Sequence, residues 1–237
     1  MDKTTIVLPT ARAIRHEQLK IESSTLFLPT YITMSEFLSK LCIVDDFQMA
    51  DDDSRVLLLL EASDFSSFSE LQIERNFFTF TKNSSYIFKF FEELSAELYN
   101  INNLGSIDIY GEYEEHIAIL QELYKRYEQL CYEKKVLDKI FLPKLYRFNE
   151  VYVRKLGDVE VHIEGYLTNF EMQLLQKCSE FCTINIIFNT SAFNKKMQEK
   201  LSLYFKEEFC KGYRYKLSLN QKKIIERKKT ELHKNIK

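Results

Sequence analysis

The spacing of apolar residues changes character twice along the chain. Short apolar runs at residues 5–8, where they are largely β-branched, and at residues 25–28 each end at a proline, as strands often do. From about residue 51 to 156, apolar residues instead recur every three or four positions, which is the period of helices. Strand-like runs return at residues 159–163 and 183–188. The order predicts strands towards both ends of the chain and a long helical block between them.

Helices are predicted directly after several of these runs. A helix begins at Thr10, and residues 191–209 form another ahead of an alternating edge strand at 213–219. Residues 33–36 and 168–171 each start with threonine and end with glutamate, which is the spacing of a capping box. The first helix is expected to turn Ala11, Ile14 and Leu19 inward and Arg12, Arg15 and Lys20 outward.

Within the helical block, two stripes of apolar residues predict the buried faces of two helices. The first stripe comprises Tyr86, Phe90, Phe91, Leu94 and Leu98. The second comprises Tyr113, Ile117, Leu120, Tyr124, Tyr127 and Cys131, with Glu122 and Arg126 paired on the opposite side. Asp138 is expected to cap a further helix that carries Leu142, Leu145 and Phe148.

Strands that alternate with helices predict an α/β fold with a parallel sheet of βαβ units. The apolar run at 183–188 is nearly continuous, which is typical of a sheet covered on both faces. We therefore expect an α/β core from residues 1–50 and 157–220, with an inserted helical subdomain at 51–156. Residues 221–237 are rich in lysine, which fits either a solvated helix or linker, or a nucleic-acid-binding tail.

Composition narrows the possible binding partners and the cellular compartment of the protein. The formal net charge of −2 provides no overall attraction to nucleic acid or to an anionic membrane, so any such binding needs a local patch. No apolar run approaches the ~18 residues of a membrane span, and no secretory signal precedes the first strand. Five cysteines, an odd number, predict reduced thiols and a cytoplasmic protein. Cys178 and Cys182 lack a second Cys/His pair at zinc-site spacing, so no metal is expected.

The motifs of common enzyme classes are absent from the sequence. It contains no P-loop, dinucleotide fingerprint, G-x-S-x-G or H-E-x-x-H sequence. Its four histidines are scattered, and His116, which follows two glutamates, is read as a surface residue. The residues alone therefore predict neither a catalytic site nor a cofactor.

Four segments resemble one known family. Residues 6–15 (IVLPTARAIR) resemble the LLPT-x-RA-x-R opening of the AddB subunits of bacterial helicase–nucleases. Residues 26–38 are similar to that family's next strand and helix, and residues 54–59 (SRVLLL) to its R-x-LLL helix. Residues 161–171 (VHIEGYLTNFE) resemble the family's DGF-T-x-F strand end, the counterpart of the helicase Walker B strand. The matches follow the family's order as far as about residue 190.

The resemblance implies a RecA-like domain of the superfamily-one helicase type, lacking the P-loop, in a longer protein that ends in a PD-(D/E)XK nuclease. Such proteins act with an AddA-like motor on DNA double-strand breaks, so the complete protein would be a subunit of an exonuclease and helicase. Glu164 stands where a motor has its magnesium-holding Asp, and Gly165 stands where it has its catalytic Glu. This region is therefore expected to be catalytically inert.

The resulting hypothesis is a non-catalytic domain that positions DNA, single-stranded DNA included, and its partner subunit. Phosphate contacts are expected from Thr10, Arg12, Arg15 and Thr33. The alternative for the two arginines is a solvated helix face. Two other functions stay open: a helical protein–protein interaction module without DNA contact, and a nucleotide hydrolase with an unusual phosphate site.

Overall fold

A computed structural model describes residues 4–21, 28–106 and 114–230. The chain forms two compact units, one from Met1–Ile43 with Phe148–Lys237 and the other from Val44–Arg147. We call them the α/β unit and the helical unit. Their borders fall at residues 43/44 and 147/148, seven and nine residues before the borders expected from the periodicity.

The bounds of the helices and strands follow in chain order. The first segment contains β1 (Thr5–Leu8), α1 (Ala11–Gln18), β2 (Thr30–Thr33), α2 (Met34–Leu41) and β3 (Cys42–Ile43). The next contains β4 (Gln48–Met49), α3 (Asp52–Ala62), α4 (Phe77–Ala96), α5 (Glu114–Glu133), β5 (Val136–Leu137), α6 (Leu142–Leu145) and β6 (Arg147–Phe148), with 3-10 helices at Ser66–Leu71, Ile101–Ser106 and Lys139–Phe141. The last contains α7 (Glu150–Val153), β7 (Val159–Ile163), α8 (Asn169–Ser179), β8 (Ile184–Asn189), α9 (Lys195–Phe205), β9 (Tyr213–Ser218) and β10 (Lys223–Lys229).

The α/β unit is built on a mostly parallel six-stranded sheet. Its strand order is β10-β9-β8-β7-β1-β2. The four strands β2, β1, β7 and β8 run parallel to their neighbours, whereas β9 and β10 are antiparallel. Strands β1, β7 and β8 confirm the runs predicted from the sequence. The mixed α/β class is therefore established.

Most of the second predicted strand falls outside the described residues. Residues 25–27 of the run at 25–28 lie outside the described residues, and Leu28 is not in a strand. The strand β2 instead follows Pro29 and contains Tyr31 and Ile32. Its threonines and aromatic ring are as suited to a strand as the apolar run before the proline. Proline thus precedes this strand rather than closing it.

The first helix is more exposed than its sequence suggests. Ala11 is exposed, and Leu19, which lies just beyond the helix end, is 86% exposed. Only Ala13, Ile14 and Glu17 are half-buried, because an eight-residue helix rests a single stripe on β1 and β2. The outward positions of Arg12, Arg15 and Lys20 are as predicted.

The sheet is buried on one face and polar over part of the other. Alternate residues of β7, among them Val161, are fully buried, whereas Glu160 and His162 are half-buried on the opposite face. In β9, Arg214 is exposed and Lys216 is half-buried on that same face, since Lys216 pairs in register with Ile187, the partner of His162. Coverage of both faces, predicted from β8, therefore does not extend to β7 and β9.

The C-terminal strands correct two expectations. Strand β9 is not at the edge, because β10 pairs with it on the side away from β8. In residues 221–230, a solvated helix or linker was expected, but Lys223–Lys229 form a strand. The remaining residues of the predicted tail, 231–237, lie outside the described part of the chain.

The helical unit has its own core, and the predicted stripe of α4 is confirmed in part. Phe91 is fully buried, and Phe90 and Leu94 are half-buried against the core, whereas Tyr86 is 77% exposed and Leu98, beyond the helix end, is 44% exposed. The stripe left out Ile87 and Phe88 because Ser84, a small polar residue, interrupts the apolar pattern on that side. The buried residues of α4 are Phe80, Ser84, Ile87, Phe88 and Phe91.

The predicted face of α5 is largely confirmed. Ile117, Tyr127 and Cys131 are buried, while Leu120 and Tyr124 are half-buried. Tyr113 lies outside the described residues. On the opposite side of the helix, Arg126 Nε lies 2.6 Å from Glu122 Oε1, as the four-residue spacing predicts.

Asp138 has a larger role than the predicted cap. Its carboxylate accepts a hydrogen bond from the Ile140 amide and so caps the 3-10 helix Lys139–Phe141 rather than a longer α-helix. The side chain is fully buried and also binds Arg55 Nε at 2.6 Å and the Tyr127 hydroxyl at 2.6 Å. Arg55 additionally contacts Glu92 at 2.6 Å. Residues of α3 and α5 thus bind one buried carboxylate, and Arg55 links it to Glu92 of α4.

The surroundings raise the pKa of two members of this cluster, Arg55 and Tyr127. Burial by itself would lower the pKa of Arg55, but hydrogen bonds to Asp138 and Glu92 raise that pKa overall. Burial, followed by the charge of Asp138, raises the pKa of Tyr127. Its hydroxyl therefore stays protonated and donates a hydrogen bond to the carboxylate.

Candidate nucleic-acid interface at the carboxyl edge of the sheet

The sequence-predicted site residues of the α/β unit gather at one edge of the sheet. Since β2, β1, β7 and β8 are parallel, their carboxyl ends lie along the same edge, and a helix begins after each of them. The chain passes from β1 to β2 towards one side of the sheet, and from β7 to β8 towards the opposite side. Ligands of open α/β sheets bind outside the carboxyl ends at such a reversal point, which here lies between β1 and β7.

Thr10 and Thr33 occupy equivalent places after neighbouring strands. Thr10 caps α1 by accepting a hydrogen bond from the Ala13 amide at 3.2 Å, and Thr33 caps α2 by accepting one from the Glu36 amide at 3.2 Å. The second half of the predicted capping box at Thr33 is replaced, because Glu36 binds Lys40 instead. Both hydroxyls serve as acceptors for their helices, and each retains a proton to donate.

Arg12 and Arg15 lie on the exposed surface of α1. Arg12 is in the first turn of that helix, which contains no acidic residue. Neither arginine forms an ion pair within the described part of the chain. The start of a helix carries a partial positive charge, so Arg12 adds a full charge to a region that already favours anions.

The end of β7 presents a bend formed by Glu164 and Gly165, both exposed. Tyr166 follows with 48% exposure, and Lys200 Nζ lies 4.5 Å from the centre of its ring. Lys200 also donates a hydrogen bond of 2.6 Å to the Leu167 carbonyl. These contacts hold a cation and an aromatic ring together beside Glu164 and Gly165.

The predicted capping box at Thr168 is complete and fixes the start of α8. Thr168 accepts a hydrogen bond from the Glu171 amide at 3.3 Å, and the Glu171 carboxylate accepts one from the Thr168 amide at 2.8 Å. The carboxylate of Glu171 is therefore engaged by the helix start and is only half-exposed.

Sequence reasoning missed Phe193, which follows β8 at this edge and is 99% exposed. The predicted helix at 191–209 placed it inside a regular element, but α9 starts only at Lys195. Asn194 Oδ1 accepts hydrogen bonds from the Ser191 amide and from Gln198, which shapes the preceding loop. The polar residues Asn189, Thr190 and Ser191 were the sequence signal for this loop.

Burial shifts the pKa of one histidine and three cysteines near the sheet. Burial lowers the pKa of His162, and the Arg214 cation lowers it further, so the imidazole is neutral at pH 7. Burial raises the pKa of Cys42 and Cys182 to about 11 and raises that of Cys178 as well. These thiols are therefore protonated and poor nucleophiles. Among the described residues, no group of three His, Cys, Asp or Glu side chains is placed to hold a metal ion.

Gly165 is not required by the backbone. A Cβ built at this position has no neighbour within 4 Å, and no left-handed φ is recorded there. We expect Gly165→Ala to leave the stability unchanged or to raise the free energy of unfolding by up to about 1 kcal/mol. Thermal unfolding measures this, with Gly212→Ala as the control. Gly212 has φ +78°, so its replacement lowers the melting temperature; equal losses in both variants would contradict the prediction.

Comparison with known proteins adds no family assignment. No protein-family model matches the chain, and no curated protein matches it. In the described residues, no helix combines the length and apolar character needed to cross a membrane.

Proposed function

We propose that the α/β unit is a RecA-like, non-catalytic domain that positions DNA, single-stranded DNA included, for a partner motor of the AddA type in double-strand-break repair. The RecA-like assignment is a refinement of the mixed α/β class and draws on the resemblance of four segments to AddB subunits. The five cysteines are all free, which supports placing the protein in the reducing cytoplasm as part of the same proposal.

One observation supports this function best. The carboxyl edge combines the capping threonines Thr10 and Thr33 with the exposed ring of Phe193. It also carries Arg12 and Arg15, which form no ion pair with any residue that the structure describes. Helix starts and arginines bind phosphates without regard to sequence, and exposed rings stack on unpaired bases. The edge has the chemistry of a non-specific single-strand site.

The arginines provide the test of this proposal. We expect the Arg12→Gln/Arg15→Gln variant to bind a fluorescein-labelled, single-stranded DNA 20-mer of mixed sequence several-fold more weakly than the unchanged protein does in anisotropy titrations. The slope of log affinity against log salt should fall by about 1.4, because two phosphate contacts are lost.

A matched control removes two cations from the helical unit. Lys82 and Lys89 are exposed on α4 and form no ion pair among the described residues, so Lys82→Gln/Lys89→Gln changes the net charge equally. The control should bind like the unchanged protein. Unaltered binding by the Arg12/Arg15 variant at low salt would reject the proposed contacts.

A second candidate function is protein–protein interaction through the helical unit. It is favoured by the exposed aromatic residues of α4, since Phe78 is 86% and Tyr86 is 77% exposed. Aromatic rings are enriched in the centres of protein interfaces. This candidate predicts that the chain retains a partner subunit but shows no DNA binding in the titrations above.

A further inference from the structure

The β9–β10 hairpin, residues 211–229, concentrates positive charge. It carries eight Lys or Arg side chains against the single carboxylate of Glu226, a formal charge of +7. The whole chain has a net charge of −2, so the other residues together carry −9. Only Lys216 and Lys228 pair with a carboxylate, namely Glu160 and Glu226. The described part of the chain gives no carboxylate partner to Lys211, Arg214, Lys222, Lys223, Arg227 or Lys229.

Cations also lie directly opposite each other in this hairpin. Lys228 pairs in register with Arg214, which places two positive side chains side by side on the polar face of the sheet. Like charges at opposed positions destabilise an antiparallel pair. Arg214 and Lys228 line a depression of about 200 Å³ together with Lys216 and the carboxylates of Glu160 and Glu226. Three cations thus share the depression with two carboxylates, which leaves one positive charge there for an anionic ligand.

On the other face of the hairpin, an arginine is held in position by aromatic rings. The Arg227 guanidinium lies 4.0 Å from the centre of the Tyr213 ring and 5.8 Å from that of Tyr215. Lys229 follows on the same side, about 7 Å further along the strand. Stacking leaves the edge of the guanidinium free to donate hydrogen bonds to an acceptor outside the sheet.

Protection of an exposed edge explains only part of this charge. Lysines and a bulge, which β10 has between Ile224 and Glu226, are common ways to block the pairing of edge strands. That role accounts for Lys223 and Lys229. It does not account for Arg214 on the inner strand or for the stacked Arg227.

We propose that the β9–β10 hairpin binds the phosphodiester backbone of nucleic acid, as a surface separate from the carboxyl edge. Lysine is depleted in protein–protein interfaces but abundant in protein–DNA interfaces, which favours nucleic acid over an acidic protein. A membrane surface would require an apolar face, and Ile225, half-exposed, is the only large exposed apolar side chain of the hairpin. The cations contact phosphates, so the binding is independent of base sequence.

The test removes three exposed charges from the hairpin, including the two arginines that edge protection does not explain. Arg214→Gln/Arg227→Gln/Lys229→Gln should bind a mixed-sequence 20-base-pair duplex at least tenfold more weakly at 100 mM salt. The salt slope should fall by about 2 to 3, since three phosphate contacts disappear. The control, Lys82→Gln/Lys89→Gln/Lys125→Gln, loses the same charge from exposed positions of the helical unit and should bind within twofold of the unchanged chain.

A second measurement needs no variant. Lysine acetylation of the unchanged chain, read by mass spectrometry, should show Lys222, Lys223 and Lys229 protected by the duplex, and Lys82, Lys89 and Lys125 equally reactive with and without it. Protection of both sets alike would overturn the proposal, as would equal loss of affinity in the two triple variants. Equally tight binding to polyglutamate or to anionic vesicles of phosphatidylserine, or no binding to the duplex at 50 mM salt, would overturn it too.

This inference and the proposed function can fail separately. Loss of binding in the hairpin variant with unchanged binding in Arg12→Gln/Arg15→Gln would support the hairpin and reject the carboxyl-edge contacts. Unchanged binding by the hairpin variant, with weaker binding by Arg12→Gln/Arg15→Gln, would reject only the proposed phosphate contacts of the hairpin.

Discussion

Replacing Asp138 by alanine is expected to lower the free energy of unfolding of the helical unit by about 3–5 kcal/mol. The change removes a fully buried carboxylate and leaves Arg55, whose side chain is only 12% exposed, without its main partner. The Tyr127 hydroxyl loses its acceptor at the same time. Urea unfolding followed by circular dichroism measures the loss, and hydrogen exchange should assign it to residues 44–147.

An exposed pair of the same chemistry is the control. Asp45 and Arg147 lie 3.2 Å apart with both side chains about two-thirds exposed, so Asp45→Ala should cost at most about 1 kcal/mol. An apolar replacement of the buried pair, Arg55→Met/Asp138→Leu, should be more stable than Asp138→Ala, because no charge is left buried. Equal losses for Asp138→Ala and Asp45→Ala would show that the buried cluster does not hold the helices together.

Phe188→Ala is expected to destabilise the α/β unit by about 3–5 kcal/mol. Phe188 is fully buried on β8, in the centre of the sheet, and its ring meets that of Phe209 edge-on at 6.4 Å. Its removal leaves a cavity between strands that are fixed by pairing on both sides. Chemical denaturation should show the loss, with hydrogen exchange accelerated in β7, β8 and β9.

A phenylalanine five residues away gives a matched control. Phe193 is 99% exposed, so Phe193→Ala should change the free energy of unfolding by no more than about 0.5 kcal/mol. If Phe193→Ala destabilised the protein as much as Phe188→Ala, the loop after β8 would have to be packed against other residues, contrary to the structure.

The elements that the sequence predicted well are those in which local preference and burial agree. Strands β1, β7 and β8 are β-branched runs that are also buried, and Thr168 with Glu171 forms a capping box from four consecutive residues. Such features depend on neighbours in the chain. They need no knowledge of the rest of the fold.

The features that were missed depend on contacts between distant residues. Lys223–Lys229 have the composition of a solvated segment, and they form a strand because β9 offers a free edge. The buried role of Asp138 depends on Arg55, 83 residues earlier in the chain. Periodicity gave only part of the buried face of α4, since the side of the helix that carries Ser84 does not stand out from apolar spacing.

The sequence predicted where the candidate site lies better than it predicted which side chains are exposed there. Thr10 and Thr33 were expected after strands, and parallel strands necessarily bring such positions to one edge. The exposed ring of Phe193 was not expected, because exposure depends on where α9 begins. The positive charge of the β9–β10 hairpin was visible in the sequence. The pairing of Arg214 with Lys228 across two strands was not.

The pairing of β1 with β7 has a consequence for synthesis on the ribosome. The strand β1 can pair early with β2 on one side, but on the other side Thr5 is the partner of Val159, more than 150 residues later in the chain. At ordinary elongation rates this delay is roughly 8–30 s. The helical unit is synthesised within that interval and can collapse, while the β7 side of β1 stays unpaired and open to chaperones until residues 159–163 have been made.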